Sequence, residues 1–71
     1  MATEVRSPTT GILIEIKVKP GDSVSADDEM MIIESMKMHI PVTAPEGGSV
    51  QDIKVAEGDQ VNEDDIVAVI A

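Results

Sequence analysis

Short apolar stretches alternate with turn-forming residues along the whole chain. The predicted strands span residues 3–7, 16–18, 30–34, 38–43, 53–55 and 66–70. Residues 16–18 and 53–55 alternate apolar and polar side chains with a period of two, and a Gly-Asp pair follows each of them. Glycine supplies the backbone freedom that such tight turns require. Because the intervals are too short for crossover helices, the pattern predicts mostly antiparallel sheets.

The chain contains an internal duplication. Residues 3–34 align without a gap with residues 40–71, and 12 of the 32 aligned pairs are identical. Self-similarity of this kind indicates two copies of one structural unit. It predicts one all-β domain over residues 1–71, a flattened β-barrel or sandwich (a barrel-sandwich hybrid). This domain would consist of two four-stranded antiparallel sheets related by a pseudo-twofold axis.

The two copies differ in one local feature. Ile12 and Ile14 align with Ser49 and Gln51. If aligned positions face the same way, both isoleucines point outward, and a bulge before Ile16 restores the inward phase. The alternative is that the copies differ here and that both isoleucines belong to the core. The sequence leaves these two interpretations open.

Composition narrows the classes of function. Ile and Val supply 18 of the 30 apolar residues, which suits sheets, and no aromatic side chain is present to stack on bases or sugars. A net charge of −9 disfavours nucleic acids and anionic membrane surfaces as partners. The sequence has no cysteine, no secretory signal pattern and no apolar run that could span a bilayer. A cytoplasmic location is therefore expected.

Five residues between the two copies have no counterpart: Ser35, Met36, Lys37, Met38 and His39. In a pseudo-symmetric molecule this connector is expected on or near the twofold axis, with the chain termini at the opposite end. A hairpin turn here would hold the Lys37 amine in solvent on a rigid base. Plain alternation favours another arrangement, in which Met36 and Met38 point inward while Lys37 and His39 point outward.

A Met-Lys-Met sequence thus lies at mid-chain between two Gly-Asp turns. It is part of Glu34-Ser35-Met36-Lys37-Met38, which is followed by Ile40-Pro41-Val42 and Ala44-Pro45. In these residues the chain resembles the biotinyl/lipoyl attachment-domain family over essentially its full length. It is most similar to small stand-alone bacterial attachment proteins of the biotin carboxyl carrier type. The resemblance implies a flattened barrel of two four-stranded sheets, with the lysine on a protruding hairpin.

The resemblance also assigns roles to the connector. It implies that biotin protein ligase joins biotin to Lys37 through an amide, with Glu34, Ser35, Met36 and Met38 as recognition residues. The lipoyl branch of the family places Asp before its lysine and commonly Ala after it, so the two methionines favour biotin over lipoate. The modified chain would carry CO₂ between biotin carboxylase and carboxyltransferase subunits of a biotin-dependent carboxylase, without itself catalysing a step.

Two features depart from the pattern of carboxylase carriers. Ser35 stands where Ala is usual, and the chain shows no protruding extra loop, Pro/Ala-rich linker or catalytic domain. The carboxylase partner is therefore less defined than the modification. Two other functions stay open at this point: a lipoyl carrier in a 2-oxo-acid dehydrogenase complex, and an unmodified acidic β-sandwich that acts as an interaction module.

Two acidic clusters invite a metal-binding or glycosidase interpretation: Asp27-Asp28-Glu29 and Glu63-Asp64-Asp65. They lack the Asp-x-Asp-x-Asp-Gly spacing of a Ca²⁺ loop. A duplicated pair of clusters also offers two equivalent sites where a glycosidase needs one acid and one base. The clusters are therefore predicted to be solvated turns at strand ends, and no metal site is expected.

Overall fold

A computed structural model describes residues 2–71 as two packed antiparallel sheets. The strands are β1 (Thr3–Arg6), β2 (Gly11–Ile16), β3 (Ser23–Val24), β4 (Glu29–Ser35), β5 (Met38–Thr43), β6 (Gly48–Ile53), β7 (Gln60–Val61) and β8 (Ile66–Ile70). One sheet has the order β1-β8-β6-β3 and the other the order β5-β4-β2-β7. This arrangement confirms the predicted all-β fold of two four-stranded antiparallel sheets. No stretch of residues 2–71 forms a helix long and apolar enough to cross a membrane.

The duplication is visible in the topology. Replacing each strand by its counterpart (β1 by β5, β2 by β6, β3 by β7 and β4 by β8) converts the order of one sheet into that of the other. Backbone hydrogen bonds beside the short strands β3 and β7 repeat in the same way. The Leu13 amide donates to the Asp59 carbonyl, and the Val50 amide donates to the Asp22 carbonyl, each at 2.8 Å. The predicted pseudo-twofold relation is therefore present in strand order and in hydrogen bonding.

Four of the predicted strands are confirmed to within one residue at each end, but those at residues 16–18 and 53–55 are misplaced. β2 and β6 lie earlier, ending at Ile16 and Ile53. Beyond the strand end, the Lys17 amide still donates to the Met30 carbonyl at 2.8 Å. The alternating residues therefore lie where each strand ends, and only one further backbone hydrogen bond continues the strand pairing there. The two-residue strands β3 and β7 carry too few residues for any periodicity to show.

The core consists of aliphatic side chains from the inner faces of both sheets. Its buried members are Val5, Leu13, Val24, Met30, Met31, Ile33, Val42, Ala44, Val50, Val61, Val67, Ala68 and Ile70. Nearly all of them form pairs under the 37-residue shift, such as Leu13 with Val50. Full burial of a large aliphatic side chain stabilises the fold by about 1.5–3 kcal/mol. The β-branched composition thus builds a closed core without aromatic rings.

A bulge in β2 decides the question of the two isoleucines. The pairing of β2 with β4 shifts register between Leu13 and Glu15, and β6 shows the same shift against β8. Ile12 and Ile14 keep 42% and 38% of their surface exposed. The interpretation that they point outward is confirmed, and their assignment to the core is wrong.

The acidic clusters lie in exposed turns, as predicted. Asp28 accepts a hydrogen bond from the Ser25 amide at 2.8 Å, and Asp65 accepts one from the Asn62 amide at 2.9 Å. Each carboxylate thereby caps its own turn. Asp27 and Asp64 adopt positive φ angles of 71° and 72° in these turns. Among residues 2–71, no group of three or more His, Cys, Asp or Glu side chains is placed to hold a metal ion.

Candidate functional site

Lys37 lies at the tip of the hairpin that joins β4 to β5. Ser35 pairs with Met38 at the end of the ladder, so Met36 and Lys37 form a two-residue turn. Their φ angles are +51° and +65°. Positive φ at both central residues defines a type I′ turn, which matches the twist of the flanking strands. Asn and Gly are the usual residues of such turns, because a Cβ is disfavoured in this backbone conformation.

The side chains around Lys37 project into solvent. Met36 is 92% exposed and Met38 is 64% exposed, while Ser35 is half-buried and Lys37 is exposed. The alternative in which both methionines point into the core is therefore wrong. Two large thioether side chains flank the amine, and such flexible, polarisable groups adapt well to a partner surface. The predicted recognition role of Glu34, Ser35, Met36 and Met38 stays a prediction.

The base of the hairpin is fixed by the core and by a close backbone approach. Ile33 in β4 and Val42 in β5 are buried. Gly11 lies so close to the Glu34 carbonyl oxygen and to the Ile33 side chain that a Cβ there would overlap both. The backbone that carries Lys37 is therefore fixed by the buried side chains of β4 and β5 and by its close contact with Gly11.

The Glu34 carboxylate near the hairpin lies beside His39 and not beside the Lys37 amine. The His39 Nε2 lies 3.8 Å from the Glu34 Oε2 across the two strands. Within the described residues, no carboxylate oxygen lies within 4.0 Å of the Lys37 Nζ. His39 is exposed, as the alternating pattern predicted. The amine is thus presented to solvent without a partner group from residues 2–71.

Two other lysines differ from Lys37 in this respect. The Lys17 Nζ donates to the Glu29 carboxylate at 3.0 Å, and this hydrogen bond raises the pKa of Lys17. The Lys54 Nζ lies 2.9 Å from the Asp52 carboxylate, and the hydrogen bond between them lowers the pKa of Asp52. Both pairs are on the surface, and the hydrogen bond to Glu29 favours the charged form of Lys17.

The hairpin does not lie on the pseudo-twofold axis, contrary to the prediction. Its pair Ile33–Ile40 corresponds under the symmetry to the pair Ile70–Thr3 at the chain ends. A feature that the twofold operation moves elsewhere cannot lie on the axis. Thr3 and Ile70, near the two chain ends, lie opposite the hairpin, as expected. β1 starts at Thr3 beside Ile70 and runs towards the loop that leads into β2, and β2 begins next to Glu34 at the base of the hairpin.

The geometry suits a group attached outside the domain. No cavity that could enclose a cofactor is present within the part of the chain that the structure describes. An exposed primary amine at the tip of a supported turn is, in contrast, a simple attachment point for a carboxylic acid through an amide. Lys37 and its flanking methionines therefore fit a covalently attached cofactor such as biotin.

Comparison with known proteins finds a family that matches nearly the whole chain and relatives that match a little over half of it. Residues 3–70 match the family described as "Biotin-requiring enzyme". "Biotinylated protein TB7.3 homolog" of Mycobacterium leprae is 41% identical over 44 residues, which are 62% of this chain and 62% of that protein. The alpha chain of human mitochondrial propionyl-CoA carboxylase is 45% identical over 40 residues, 56% of this chain and 6% of that one. The chain thus spans less than two thirds of these relatives.

Solved structures show the same fold. The urea carboxylase of Kluyveromyces lactis matches all of this chain with a TM-score of 0.94 and 38% identity, over 6% of its own length. A single-chain long-chain acyl-CoA carboxylase matches with a TM-score of 0.89, and at 24% identity this likeness concerns the fold alone. The family confirms the predicted resemblance and agrees with biotin as the cofactor. The chain belongs to the family of biotin-requiring enzymes that is defined by the biotin/lipoyl attachment domain.

Proposed function

We propose that this chain is a biotin carboxyl carrier that bears its cofactor on Lys37. In this proposal biotin protein ligase acylates the Lys37 amine, and the domain then presents the cofactor alternately to biotin carboxylase and carboxyltransferase sites. The observation that carries the proposal is the exposed Met36-Lys37-Met38 turn in a domain of a biotin-requiring family. The matched region is 6% of the human propionyl-CoA carboxylase alpha chain, so this chain is similar to a small part of that protein.

The chain's own contribution is to offer a nucleophile and to position it. The Lys37 Nζ attacks the carbonyl carbon of a biotin carboxyl that the ligase has activated with ATP as a mixed anhydride with AMP. The amide C–N bond forms, the bond from the carbonyl carbon to the phosphate oxygen breaks, AMP leaves, and the amine gives up a proton. Because no carboxylate of the described residues lies within 4.0 Å of this nitrogen, the ligase supplies the group that accepts the proton. When attached, biotin supplies the chemistry of CO₂ transfer through its ring nitrogen.

The supported hairpin sets the reach of the arm. Roughly ten bonds separate the lysine backbone from the biotin ring, so an extended arm reaches about 12–14 Å by bond-length arithmetic. The ring can therefore enter an enzyme pocket while the sandwich stays outside. The turn at residues 36–37 keeps the origin of this arm at a fixed place on the domain.

Intact mass tests the proposal directly. The wild-type chain, incubated with biotin, ATP and a bacterial biotin protein ligase, should gain the mass of one biotinyl group. The acylated lysine loses its charge, so the net charge should change from −9 to −10 and the product should bind more tightly to an anion exchanger. Addition of a lipoyl group in place of biotin, by the corresponding lipoate ligase alone, would instead support the lipoyl carrier.

Two lysine variants assign the site. Lys37→Arg keeps the charge but removes the acylable amine, and it should gain no mass. Lys54→Arg is the matched control, because this lysine is also exposed but is paired with Asp52 just beyond the end of β6. It should be modified like the wild-type chain. Biotin incorporation by Lys37→Arg would show that the proposal is wrong.

A further inference from the structure

The sheet that carries the hairpin has an apolar outer face, formed by Ile12, Ile14, Ile32 and Pro41. Ile12 and Ile14 are 42% and 38% exposed, Pro41 is exposed and Ile32 is half-buried. Ile32 pairs with Pro41 on one neighbouring strand and with Glu15 on the other, so these side chains lie side by side. We call the four residues the apolar face.

The other sheet shows that the fold does not need these side chains. The counterparts of the four residues under the 37-residue shift are Ser49, Gln51, Val69 and Glu4. The same bulge is present in β6, where Ser49 and Gln51 are exposed polar residues. Three apolar positions of one sheet are therefore polar in the other, although the backbone is the same. This asymmetry points to a role for the apolar face outside the fold itself.

The apolar face is continuous with the hairpin. Ile12 lies directly opposite Glu34, three residues before Lys37. With a rise of about 3.3 Å per residue, Ile12 is on the order of 10 Å from the tip along the strand. A standard protein interface buries about 800 Å² on each partner, a patch roughly 30 Å across. A protein that binds around Lys37 over such an area, from the outer face of this sheet, therefore covers the apolar face.

The length of the Lys37 side chain, before and after modification, indicates which partner covers the apolar face. An unmodified lysine extends only about 6 Å from the backbone, so the enzyme that acylates it must approach the domain surface closely. Carboxylase sites meet the domain only after the arm has lengthened to about 12–14 Å, and they can stay farther away. The exposed carboxylates Glu15 and Glu34 border the apolar face, which favours a partner surface with basic groups around an apolar centre.

We propose that the apolar face is the docking surface for the biotin protein ligase that acylates Lys37. This inference rests on the proposed function and deepens it, because it adds a surface outside the Met-Lys-Met turn. The ligase is inferred to cover Ile12 and Ile14 while Lys37 enters its active site. Burial of these two side chains in the complex then contributes to binding before any chemistry occurs.

The test replaces the two isoleucines with the residues at the aligned positions of the second copy. In the intact chain, Ile12→Ser combined with Ile14→Gln should raise the KM for biotinylation by a bacterial biotin protein ligase about tenfold, with kcat little changed. Pro41→Glu, which copies Glu4, is a second variant on the same face and should also raise KM. Val69→Thr on the opposite sheet is the matched control and should behave like the wild-type chain.

Urea unfolding of each variant separates binding from stability. Wild-type stability together with the raised KM supports the docking surface. Unchanged kcat/KM in both apolar-face variants would overturn it while leaving Lys37 as the attachment site. A wild-type dimer that these variants dissociate, again with unchanged kcat/KM, would overturn it in favour of a second copy of the chain. If the wild-type chain accepts no biotin at all, the proposed function and the docking surface fall together.

Discussion

Met36 and Lys37 occupy a backbone conformation that their side chains disfavour. Both have positive φ, and left-handed backbone costs roughly 1–2 kcal/mol for an ordinary L-residue. Asp27 and Asp64 also have positive φ, but a short polar side chain tolerates this conformation. The strain at the tip is therefore not shared by the other turns. Because the core and the Gly11 contact hold the hairpin base, the fold can sustain it, as is common at functional sites.

Replacing Met36 by glycine should relieve this strain. Met36→Gly is expected to raise the free energy of unfolding by about 0.5–1 kcal/mol, measured by urea denaturation, because glycine adopts positive φ without a steric penalty. Biotinylation should become slower, since the variant loses the more exposed of the two thioether side chains. Asp64→Gly is the control and should give little or no stabilisation. Loss of stability in Met36→Gly would contradict the strain.

The position of Lys37 could be predicted from the sequence, but the exposure of its neighbours could not. The unmatched residues 35–39 indicated a hairpin tip. Alternation also gave the correct phase for Met38, which lies in the same inward register as Val42. Burial nevertheless falls along β5 from Val42, which is buried, through Ile40, which is half-buried, to Met38 at 64% exposure. The end of the core depends on the opposite sheet, which a local pattern does not contain.

At the scale of strands, Gly11 sets the distance between β2 and the end of β4. A Cβ at this position would overlap the Glu34 carbonyl oxygen. Gly48 is its counterpart at the other end of the molecule, where a Cβ would lie 2.6 Å from the Ala71 carbonyl oxygen. The two glycines provide the same close approach, once at the base of the hairpin and once at the chain ends. The alignment matched them, but only the structure shows what they touch.

This equivalence allows a matched test. Gly11→Ala and Gly48→Ala should each lower the free energy of unfolding by about 1–3 kcal/mol in urea, because backbone must shift to accommodate the methyl group. Only Gly11→Ala displaces the base of the Lys37 hairpin. It should therefore slow biotinylation by a larger factor than Gly48→Ala, with both variants assayed well below their unfolding transitions. Equal rates in the two variants would show that the hairpin base does not position Lys37 for the ligase.

The boundaries of the strands were harder to predict from the sequence than their presence. β2 contains Ile12, Leu13 and Ile14 in succession, and the bulge moves Ile14 out of the alternation. The period of two appears only from Ile16 onward, where the strand ends, so the prediction began there. A bulge inserts one residue that the ladder does not count, and its effect on side-chain direction follows from the pairing with β4. The unequal match of Ile12 and Ile14 with Ser49 and Gln51 was the one sequence signal of it.

In the whole molecule, the two copies of the repeat are interleaved. The sheet β1-β8-β6-β3 takes two strands from each copy, and so does the sheet β5-β4-β2-β7. The duplication predicted two equivalent halves, but the sequence could not say which strands pair, because both copies present the same apolar pattern. The two copies thus form one body of 33 × 18 × 18 Å, with Lys37 at one end and the paired residues Thr3 and Ile70 at the other.

Interleaving predicts that neither half folds alone. A cut between Met36 and Lys37 leaves only the pair β2–β4 in the first fragment and only β6–β8 in the second, and an isolated two-stranded pair is marginal in water. Fragments 1–36 and 37–71 should each give the circular dichroism of an unfolded chain. An equimolar mixture should recover the β-sheet spectrum of the intact chain and a concentration-dependent unfolding midpoint, because the inner faces bury each other only in the complex. Cooperative unfolding of either fragment by itself would refute the interleaved core.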